Sequence, residues 1–260
     1  MSDATLRVLV AMSTQILLKL AAGGTATVWI GTSSTYPKQL LAIRRPHPQL
    51  FEDPKFFAEL QRQAVIASRL DHPNVVRMYE ILSSPDGVEL VMEYVDGLAF
   101  SDLVRAWDDD ATEDTVAAAL RVAIDICAGL AAVHALAADD GSPLALAHRD
   151  VSPQNILVAA DGVAKIKDFG LTRNIAFADR STTDGVLTSE AGYFAPEYIC
   201  GAPIDHRIDL FALGIVLWEA IAKRRLFKGE NEADTLERIL RCEAPSLSET
   251  ISNAELSRDL

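Results

Sequence analysis

The chain has 260 residues, of which 49% are apolar, and its formal net charge is −13. This length and apolar content suit one large domain or two lobes, and they exclude a disordered chain. The negative charge disfavours nucleic acid and anionic membrane as main partners, although a local basic site for a phosphate-bearing ligand stays compatible with it. Three widely spaced cysteines form no metal-ligand pattern, so we expect reduced, buried thiols in a cytoplasmic protein.

The first part of the chain is predicted to hold strands and one helix. Apolar and β-branched runs predict strands at 15–20, 28–31, 40–43, 75–79 and 88–94. Asp53 and Pro54 are typical of a helix start, and the helix is expected to end near Leu70. Its predicted inward stripe is Phe56, Leu60, Gln63, Ala67 and Leu70.

After residue 96 the sequence becomes mainly helical. Asp110 and Glu113 predict a capping box at the head of a helix that ends near Leu136. Its predicted stripe is Val116, Leu120, Ala123, Cys127 and Leu130. Short apolar runs at 156–158 and 164–166 predict a hairpin, and further helices are expected at 208–223 and from about residue 232. No apolar run approaches the ~20 residues that a membrane span needs, so no membrane segment is expected.

Three polar residues lie around the predicted hairpin in an order that suits phosphate chemistry. Asp150 and Asn155 stand in HRDVSPQN at 148–155, and Asp168 follows the hairpin in KDFG at 167–170. Such residues can converge on one divalent cation, and hard oxygen ligands completed by phosphate are how magnesium is usually bound. A free carboxylate nearby can accept a hydroxyl proton. Burying all three without a cation would be costly, which favours a metal site.

These motifs resemble those of the protein kinase family, and specifically of bacterial Ser/Thr kinases of the eukaryotic type. The matching stretches are AAGGTATV at 21–28, LAIR at 41–44, HPNVV at 72–76, VMEYVDG at 91–97, HRDVSPQN, DFG, AGYFAPE at 191–197 and IDLFALGIVLWE at 208–219. The resemblance implies an α+β fold of two lobes. Residues 1–95 would form a small antiparallel β lobe with one key helix, and residues 96–260 a larger helical lobe without the family's last helices.

The resemblance also implies ATP and Mg²⁺ as cofactors and a role for each site residue. Asp150 would be the catalytic base, and Asn155 and Asp168 would hold magnesium. The other residues implied at the nucleotide are Ala21, Gly23 and Gly24 in the phosphate loop, Arg44 with Gln63 at the phosphates, Val28, Ala42, Leu157 and Met92 around the adenine, and the backbone of Glu93 and Val95 at its edge. His148, Phe169 and Asp209 would align and brace this core.

Several positions depart from the family's pattern. Arg44 replaces a lysine, and Gln63 replaces the glutamate that would pair with it, so the charge pair is lost. Glu59, one turn earlier on the helix, is the alternative partner of Arg44. Ala21 and Ala26 replace loop glycines, Ser152 replaces the catalytic-loop lysine, and Glu190 stands where some bacterial relatives supply a lysine. The phosphoryl group is therefore expected to lose cationic partners.

Three functions remain open on the sequence. The first is a Ser/Thr protein kinase that acts on a protein substrate, with activation-segment hydroxyls at Ser181, Thr182, Thr183, Thr188 and Ser189. The second is a pseudokinase that binds nucleotide or serves as a scaffold for a signalling partner. The third is a small-molecule phosphotransferase, which AGYFAPE and the long polar segment 172–190 disfavour.

Overall fold

The structure is a computed structural model that describes residues 14–51, 54–84, 87–107, 111–169 and 191–250, without the side chains of residues 54–59, 83, 84 and 232. The chain divides into two compact units. The first unit is Met1–His72 with Val76–Asp96, and the second is Pro73–Val75 with Gly97–Leu260.

A five-stranded antiparallel sheet forms the first unit, in the order β1-β2-β3-β5-β4. The strands are β1 (Thr14–Ala22), β2 (Ala26–Ser33), β3 (Leu41–Pro46), β4 (Met78–Ser84) and β5 (Gly87–Glu93). Leu41, Ile43, Leu82 and Val91 form the buried apolar cluster of this sheet. All five predicted strands are present, but the fourth begins at Met78 rather than near Val75.

The two arginines of β3 lie on opposite faces of the sheet, because successive side chains of a strand alternate. Arg45 donates from Nε to Glu89 Oε1 at 2.9 Å, and Glu89 also accepts from Thr14 Oγ1 at 2.7 Å. Arg44 shares its face with Ala42, and only 7% of its surface is exposed. Arg44 is therefore not a solvated charge at a strand end.

One long helix, α1 (Pro54–Ala67), lies between β3 and β4 in the sequence. It begins at the predicted proline and ends three residues before Leu70, while its predicted cap Asp53 lies outside the described residues. The predicted inward stripe is confirmed at its described positions, since Leu60, Gln63, Ala67 and Leu70 are all buried. The side chain of Phe56 is outside the description.

The second unit combines helices with a three-stranded sheet in the order β6-β7-β8. Its strands are β6 (Gly97–Ala99), β7 (Ile156–Ala159) and β8 (Ala164–Ile166). Its helices are α2 (Phe100–Ala106), α3 (Glu113–His134), α4 (Pro196–Ile199), α5 (Arg207–Ala222), α6 (Glu232–Arg241) and α7 (Leu247–Thr250). The hairpin and the helices at 207–222 and 232–241 agree with the predicted elements within a few residues.

Helix α3 differs from its prediction in its cap and in its buried face. Thr112 is the N-cap and forms the capping box with Thr115, whereas the predicted Asp110 lies outside the described residues. Leu120 is 41% exposed and Cys127 is exposed, so both were wrongly assigned to the core. The buried residues are Val116, Ala119, Val122, Asp125, Ile126, Gly129, Leu130 and Val133.

Two contacts explain why α3 buries this face. A Cβ atom at Gly129 would lie 2.6 Å from the Asn74 carbonyl oxygen, so glycine permits a close approach there. Asp125 Oδ2 accepts a hydrogen bond from the Ala164 backbone N–H at 3.0 Å. Hydrophobic periodicity detects neither a glycine contact nor a buried carboxylate.

The same helix bears on the membrane prediction. Among the described residues, α3 is long and apolar enough to cross a membrane by length and composition alone. Its most apolar window is 44% buried, and it packs against α5 and β8. Such packing is typical of the core helix of a folded unit.

The three cysteines also differ from their prediction. Cys127, Cys200 and Cys242 are free thiols, but all three are exposed rather than buried. Cys127 faces outward because α3 turns its glycine-containing face inward, and Cys200 and Cys242 follow the ends of α4 and α6. Helix ends are a common place for exposed side chains.

Candidate active site

Asp209 organises the start of the catalytic segment in the second unit. It lies in the first turn of α5 and is 1% exposed. Its Oδ2 accepts from the His148 backbone N–H at 2.6 Å, and its Oδ1 accepts from the Arg149 backbone N–H at 2.8 Å. His134 Nε2 is 2.7 Å from Oδ2. These bonds fix the backbone at 148–149, where Arg149 has a left-handed φ of 66°.

His148 links this segment to the strand hairpin. Its ring Nδ1 accepts from the Asp150 backbone N–H at 3.2 Å, so Nε2 carries the proton and donates to the Lys167 carbonyl at 3.0 Å. Burial lowers the pKa of His148, and the negative charge of Asp209 opposes that shift only in part. The histidine is therefore a neutral structural residue, as the sequence analysis predicts. Its ring centroid lies 5.9 Å from that of Phe169.

Asp150 and Asn155 are connected directly. Asn155 Nδ2 donates to the Asp150 carbonyl at 2.9 Å, and its backbone N–H donates to the Ser152 carbonyl at 3.0 Å. Both side chains are buried, with exposures of 5% for Asp150 and 8% for Asn155. Pro153 begins the short 3₁₀ turn Pro153–Asn155 and limits its backbone freedom. With Nδ2 bonded to the Asp150 carbonyl, Asn155 Oδ1 accepts from Lys167 Nζ.

Asn155 Oδ1 and Asp168 Oδ2 converge on one point, and Lys167 Nζ lies there. The ammonium donates to Asn155 Oδ1 at 2.9 Å and to Asp168 Oδ2 at 2.8 Å. Asp168 has a left-handed φ of 63°. An amide oxygen and a carboxylate oxygen that already share one cation are a donor set that suits Mg²⁺. The two predicted metal ligands are thus brought together.

No larger metal cluster accompanies this pair in the part of the chain that the structure describes, where no three His, Cys, Asp or Glu side chains could hold an ion. Two protein oxygens are what a magnesium site completed by phosphate and water needs. The sequence pattern assigns no role to Lys167 of KDFG. The signal that could have found it is a basic residue directly before the metal-binding aspartate.

Ser152 is the position where the family has its catalytic-loop lysine. It is 1% exposed, and its Oγ has no hydrogen-bond partner among the described residues. A short hydroxyl there supplies no charge to a phosphoryl group. Glu190, Gly170 and the activation-segment hydroxyls Ser181, Thr182, Thr183, Thr188 and Ser189 lie outside the described residues.

The AGYFAPE motif is anchored to α5 by a buried polar network. Tyr193 donates to Glu219 Oε2 at 2.9 Å, and Arg225 Nη1 donates to the Tyr193 oxygen at 2.8 Å. The Leu226 backbone N–H donates to Glu219 Oε1 at 3.0 Å. Burial raises the pKa of both Tyr193 and Glu219. This network holds the end of the activation segment in place.

Arg44 and Gln63 are both buried in the first unit, with exposures of 7% and 5%. Arg44 is opposite Val28 in the β2–β3 ladder and opposite Leu90 in the β3–β5 ladder. Its backbone position is therefore set by strand register. The side chain of Glu59, the alternative partner of Arg44, lies outside the description.

The phosphate loop connects β1 to β2. Gly23 N–H donates to the Ala26 carbonyl at 2.9 Å, and His47 Nε2 lies 2.9 Å from the Gly23 carbonyl. Ala21 pairs with Val28 in the ladder. A Cβ atom at Gly24 would meet nothing within 4 Å, so the described chain does not itself require glycine there. Sequence analysis missed His47, because one histidine after a strand carries no recognisable pattern.

Two of the residues predicted around the adenine are direct neighbours in the sheet of the first unit. Ala42 pairs with Met92 between β3 and β5, and both are buried. Glu93 N–H donates to the Arg77 carbonyl at 2.9 Å, and its side chain accepts from the Arg77 N–H at 3.2 Å. Val95 follows β5 and is half-buried. In the second unit, Leu157 is half-buried in β7 and pairs with Ala99 and Lys165.

Comparison with known proteins gives consistent relatives. Tyrosine-protein kinase MasK of Myxococcus xanthus is 32% identical over 230 residues, which are 88% of this chain and 35% of that protein. Serine/threonine-protein kinase PrkC of Bacillus subtilis is 31% identical over 232 residues, 89% of this chain and 34% of that protein. Serine/threonine-protein kinase PknB of Mycobacterium tuberculosis is 33% identical over 198 residues, 74% of this chain and 29% of that protein.

The chain therefore spans between 29% and 35% of the length of these curated relatives. The family model described as the protein kinase domain matches residues 16–258. This match confirms the predicted α+β kinase fold, and the relatives' names favour a kinase over the pseudokinase alternative. Protein kinases generally use ATP and Mg²⁺. With the match covering nearly the whole sequence, the chain belongs to the protein kinase domain family.

Proposed function

We propose that this domain transfers the γ-phosphoryl group of ATP to serine and threonine hydroxyls of a protein substrate. The observation that carries the proposal is that Asn155 Oδ1 and Asp168 Oδ2 both accept from one positive group, the Lys167 ammonium. Asn155 also bonds to the backbone of Asp150, whose carboxylate is buried. A carboxylate beside a cation site suits a reaction that removes a hydroxyl proton while phosphate charge is being stabilised.

In the second unit, we assign Asp150 as the group that orients the substrate hydroxyl and accepts its proton. The hydrogen bond from Asn155 Nδ2 to the Asp150 carbonyl holds the backbone of this residue in place. Asn155 and Asp168 would hold Mg²⁺, which supplies positive charge to the phosphates when it is bound. Phe169 and His148 keep Asp168 aligned with this segment.

In the first unit, we assign Arg44 to the ATP phosphates and the strand residues to the adenine. The place of Arg44 supports this assignment, since it is buried in β3 at the position where protein kinases have their phosphate-binding lysine. Gln63 or Glu59 would orient it. The other residues assigned to the nucleotide are Ala21, Gly23, Gly24, Val28, Ala42, Met92, Glu93 and Val95, together with Leu157 from the second unit.

The test is transfer of labelled γ-phosphate from ATP to the protein itself or to a generic acceptor protein. We expect Asp150→Asn to slow transfer by at least about a hundredfold, because general-base contributions are of that size. Asp161→Asn is the matched control, since Asp161 lies in the β7–β8 turn and accepts only a local bond from Val163 N–H at 3.0 Å. Equal transfer by wild type and Asp150→Asn would overturn the proposal.

The same proteins also test two alternative functions. MasK is named a tyrosine-protein kinase, so phosphotyrosine as the only labelled residue would replace serine and threonine by tyrosine as the acceptor. ATP binding with no transfer by the wild type would support the pseudokinase instead. Labelled phosphoserine or phosphothreonine that disappears in Asp150→Asn supports the proposal.

We also propose that the domain works in the cytoplasm. Three exposed free thiols persist in a reducing compartment and are prone to oxidation elsewhere. Labelling of the cysteines by a membrane-impermeant maleimide only after cells are permeabilised is the expected result. Labelling in intact cells would contradict the proposal.

A further inference from the structure

Lys167 places a positive charge of the chain itself at the two predicted metal ligands. Its Nζ lies 2.9 Å from Asn155 Oδ1 and 2.8 Å from Asp168 Oδ2. Both contacts are charge-assisted hydrogen bonds of ordinary length. The side chain is 28% exposed, so the ammonium is neither fully buried nor free in solvent.

The backbone of Lys167 is held on both sides. Its N–H donates to the Asn155 carbonyl at 2.9 Å, and its carbonyl accepts from His148 Nε2 at 3.0 Å. The side chain therefore starts from a fixed point beside the metal ligands. An ammonium has three N–H donors. Two of them serve Asn155 and Asp168, and the third has no partner among the residues that the structure describes.

A divalent cation and this ammonium cannot use the same two oxygens in the same way. Magnesium needs its oxygen ligands at about 2.0–2.1 Å, and a cation so close to the lysine would be repelled by its charge. Binding of a divalent cation therefore requires Lys167 to move away. Where no divalent cation is bound, the third ammonium donor is available to a phosphate oxygen.

We propose that Lys167 is a built-in cation of this site, which competes with divalent cations for Asn155 and Asp168 and binds a phosphate group when no divalent cation is present. This inference rests on the proposed role of Asn155 and Asp168 as metal ligands. It also gives the domain a lysine that directly follows β8 and can reach a phosphate, although position 152 has a serine. This ammonium offers its charge to a phosphate only while no divalent cation is bound.

The first test is titration of the protein with Mn²⁺ alone, followed by the electron paramagnetic resonance of the free ion. We expect Lys167→Met to bind Mn²⁺ about tenfold tighter than wild type, because a competing charge is removed. Lys165→Met, two residues earlier on β8, controls for the general loss of one positive charge. Lys167→Gln is read in the same way if the methionine variant does not fold. Equal Mn²⁺ affinity of wild type and Lys167→Met would overturn the inference.

Asp168→Asn separates this inference from the proposed function. If Asp168→Asn binds Mn²⁺ as well as wild type does, Asp168 is not a metal ligand and this inference fails, while the proposed function is still judged by the transfer assay with Asp150→Asn. If Asp168→Asn weakens Mn²⁺ binding but Lys167→Met leaves it unchanged, only the competition by Lys167 is rejected. Neither result depends on phosphoryl transfer.

The second test is calorimetric titration with ATP, once in EDTA and once in saturating Mn²⁺. In EDTA, wild type and Lys167→Arg should bind ATP about tenfold tighter than Lys167→Met, since one charged phosphate contact is lost. In saturating Mn²⁺ the three proteins should bind ATP with equal affinity, or Lys167→Met should bind it most tightly. A Lys167→Met defect of the same size in both conditions would contradict a role tied to the absence of divalent cations.

Discussion

The two units position their charged residues in different ways. In the first unit, strand register alone fixes the backbone of Arg44, which lies between Val28 and Leu90 in its sheet. In the second unit, Asp150 and Asp168 lie outside regular strands and helices. The segment of Asp150 is held by hydrogen bonds that Asp209 and His148 accept and that Asn155 donates. His148 also donates to the Lys167 carbonyl, directly before Asp168.

This contrast has an energetic consequence. In a sheet, many backbone hydrogen bonds together fix the position of one residue, so no single neighbouring side chain is essential for that position. The catalytic segment depends on a few buried polar side chains, each of which serves several donors or acceptors. Removing one of them leaves buried groups without partners, which costs more than the lost bond itself. Substitutions of these buried polar side chains should therefore lower the stability of the second unit. Substitutions of Arg44 should lower the stability of the first unit less.

The largest effect is expected at Asp209. Asp209→Ala leaves two backbone N–H groups and His134 without their shared acceptor, and it should lower the free energy of unfolding by about 3–5 kcal/mol. Urea denaturation measures this change. Asp205→Ala is the control, because Asp205 pairs with the exposed Arg207 and an ion pair in solvent contributes little to stability. Similar losses from the two substitutions would remove the special role of Asp209.

A smaller effect is expected at the pair Arg44 and Gln63. Arg44→Lys alone should change the catalytic efficiency of phosphoryl transfer by less than about tenfold. Gln63 offers no opposite charge to an arginine or to a lysine at position 44. Arg44→Lys combined with Gln63→Glu should raise it by more than about tenfold, since a buried ion pair is restored. The measurement is kcat/KM for ATP. A large gain from Arg44→Lys alone would show the arginine to be the sole defect.

The smallest effect is a pH dependence that originates at His148. Burial lowers the pKa of His148 below its ordinary value of 6.5, so the unfolded chain binds a proton before the folded chain does. Its contribution to stability is therefore complete above pH 6.5 and is lost as the pH falls through the lowered pKa. The loss is at most about 1.4 kcal/mol per pH unit.

Urea denaturation at pH 7.5, 6.5 and 5.5 measures this slope, and His148→Phe should flatten it. His206→Phe, at an exposed position, shows what removal of an imidazole does elsewhere. If wild type and His148→Phe lose stability in parallel on acidification, the acid sensitivity has another source.

Much of the architecture follows from local sequence patterns. The β7–β8 hairpin is predicted because its apolar runs are short and Asp161-Gly162 marks the turn between them. Helix α1 is predicted because Pro54 marks its start and Leu60, Gln63 and Ala67 recur at helical spacing. The order of the motifs also predicted that Asn155 and Asp168 would meet. In each case the information lies in nearby residues.

The features that escaped prediction depend on contacts between distant parts of the chain. Helix α3 is apolar on most of its surface, so several faces suit a core, and the contact of Gly129 with Asn74 selects one of them. Lys167 could point toward solvent or toward Asn155, and the spacing of residues does not distinguish these cases. The bond between His47 and Gly23 joins residues 24 positions apart.

Arg149 and Asp168 share a backbone feature with consequences for the evolution of this domain. Both have a left-handed φ, of 66° and 63°, a conformation that costs a residue with a Cβ atom about 1 kcal/mol. Glycine would remove that cost at either position, but it would delete a guanidinium at one and a carboxylate at the other. The carboxylate of Asp168 is a proposed magnesium ligand, so backbone strain and the proposed function favour different residues at that position.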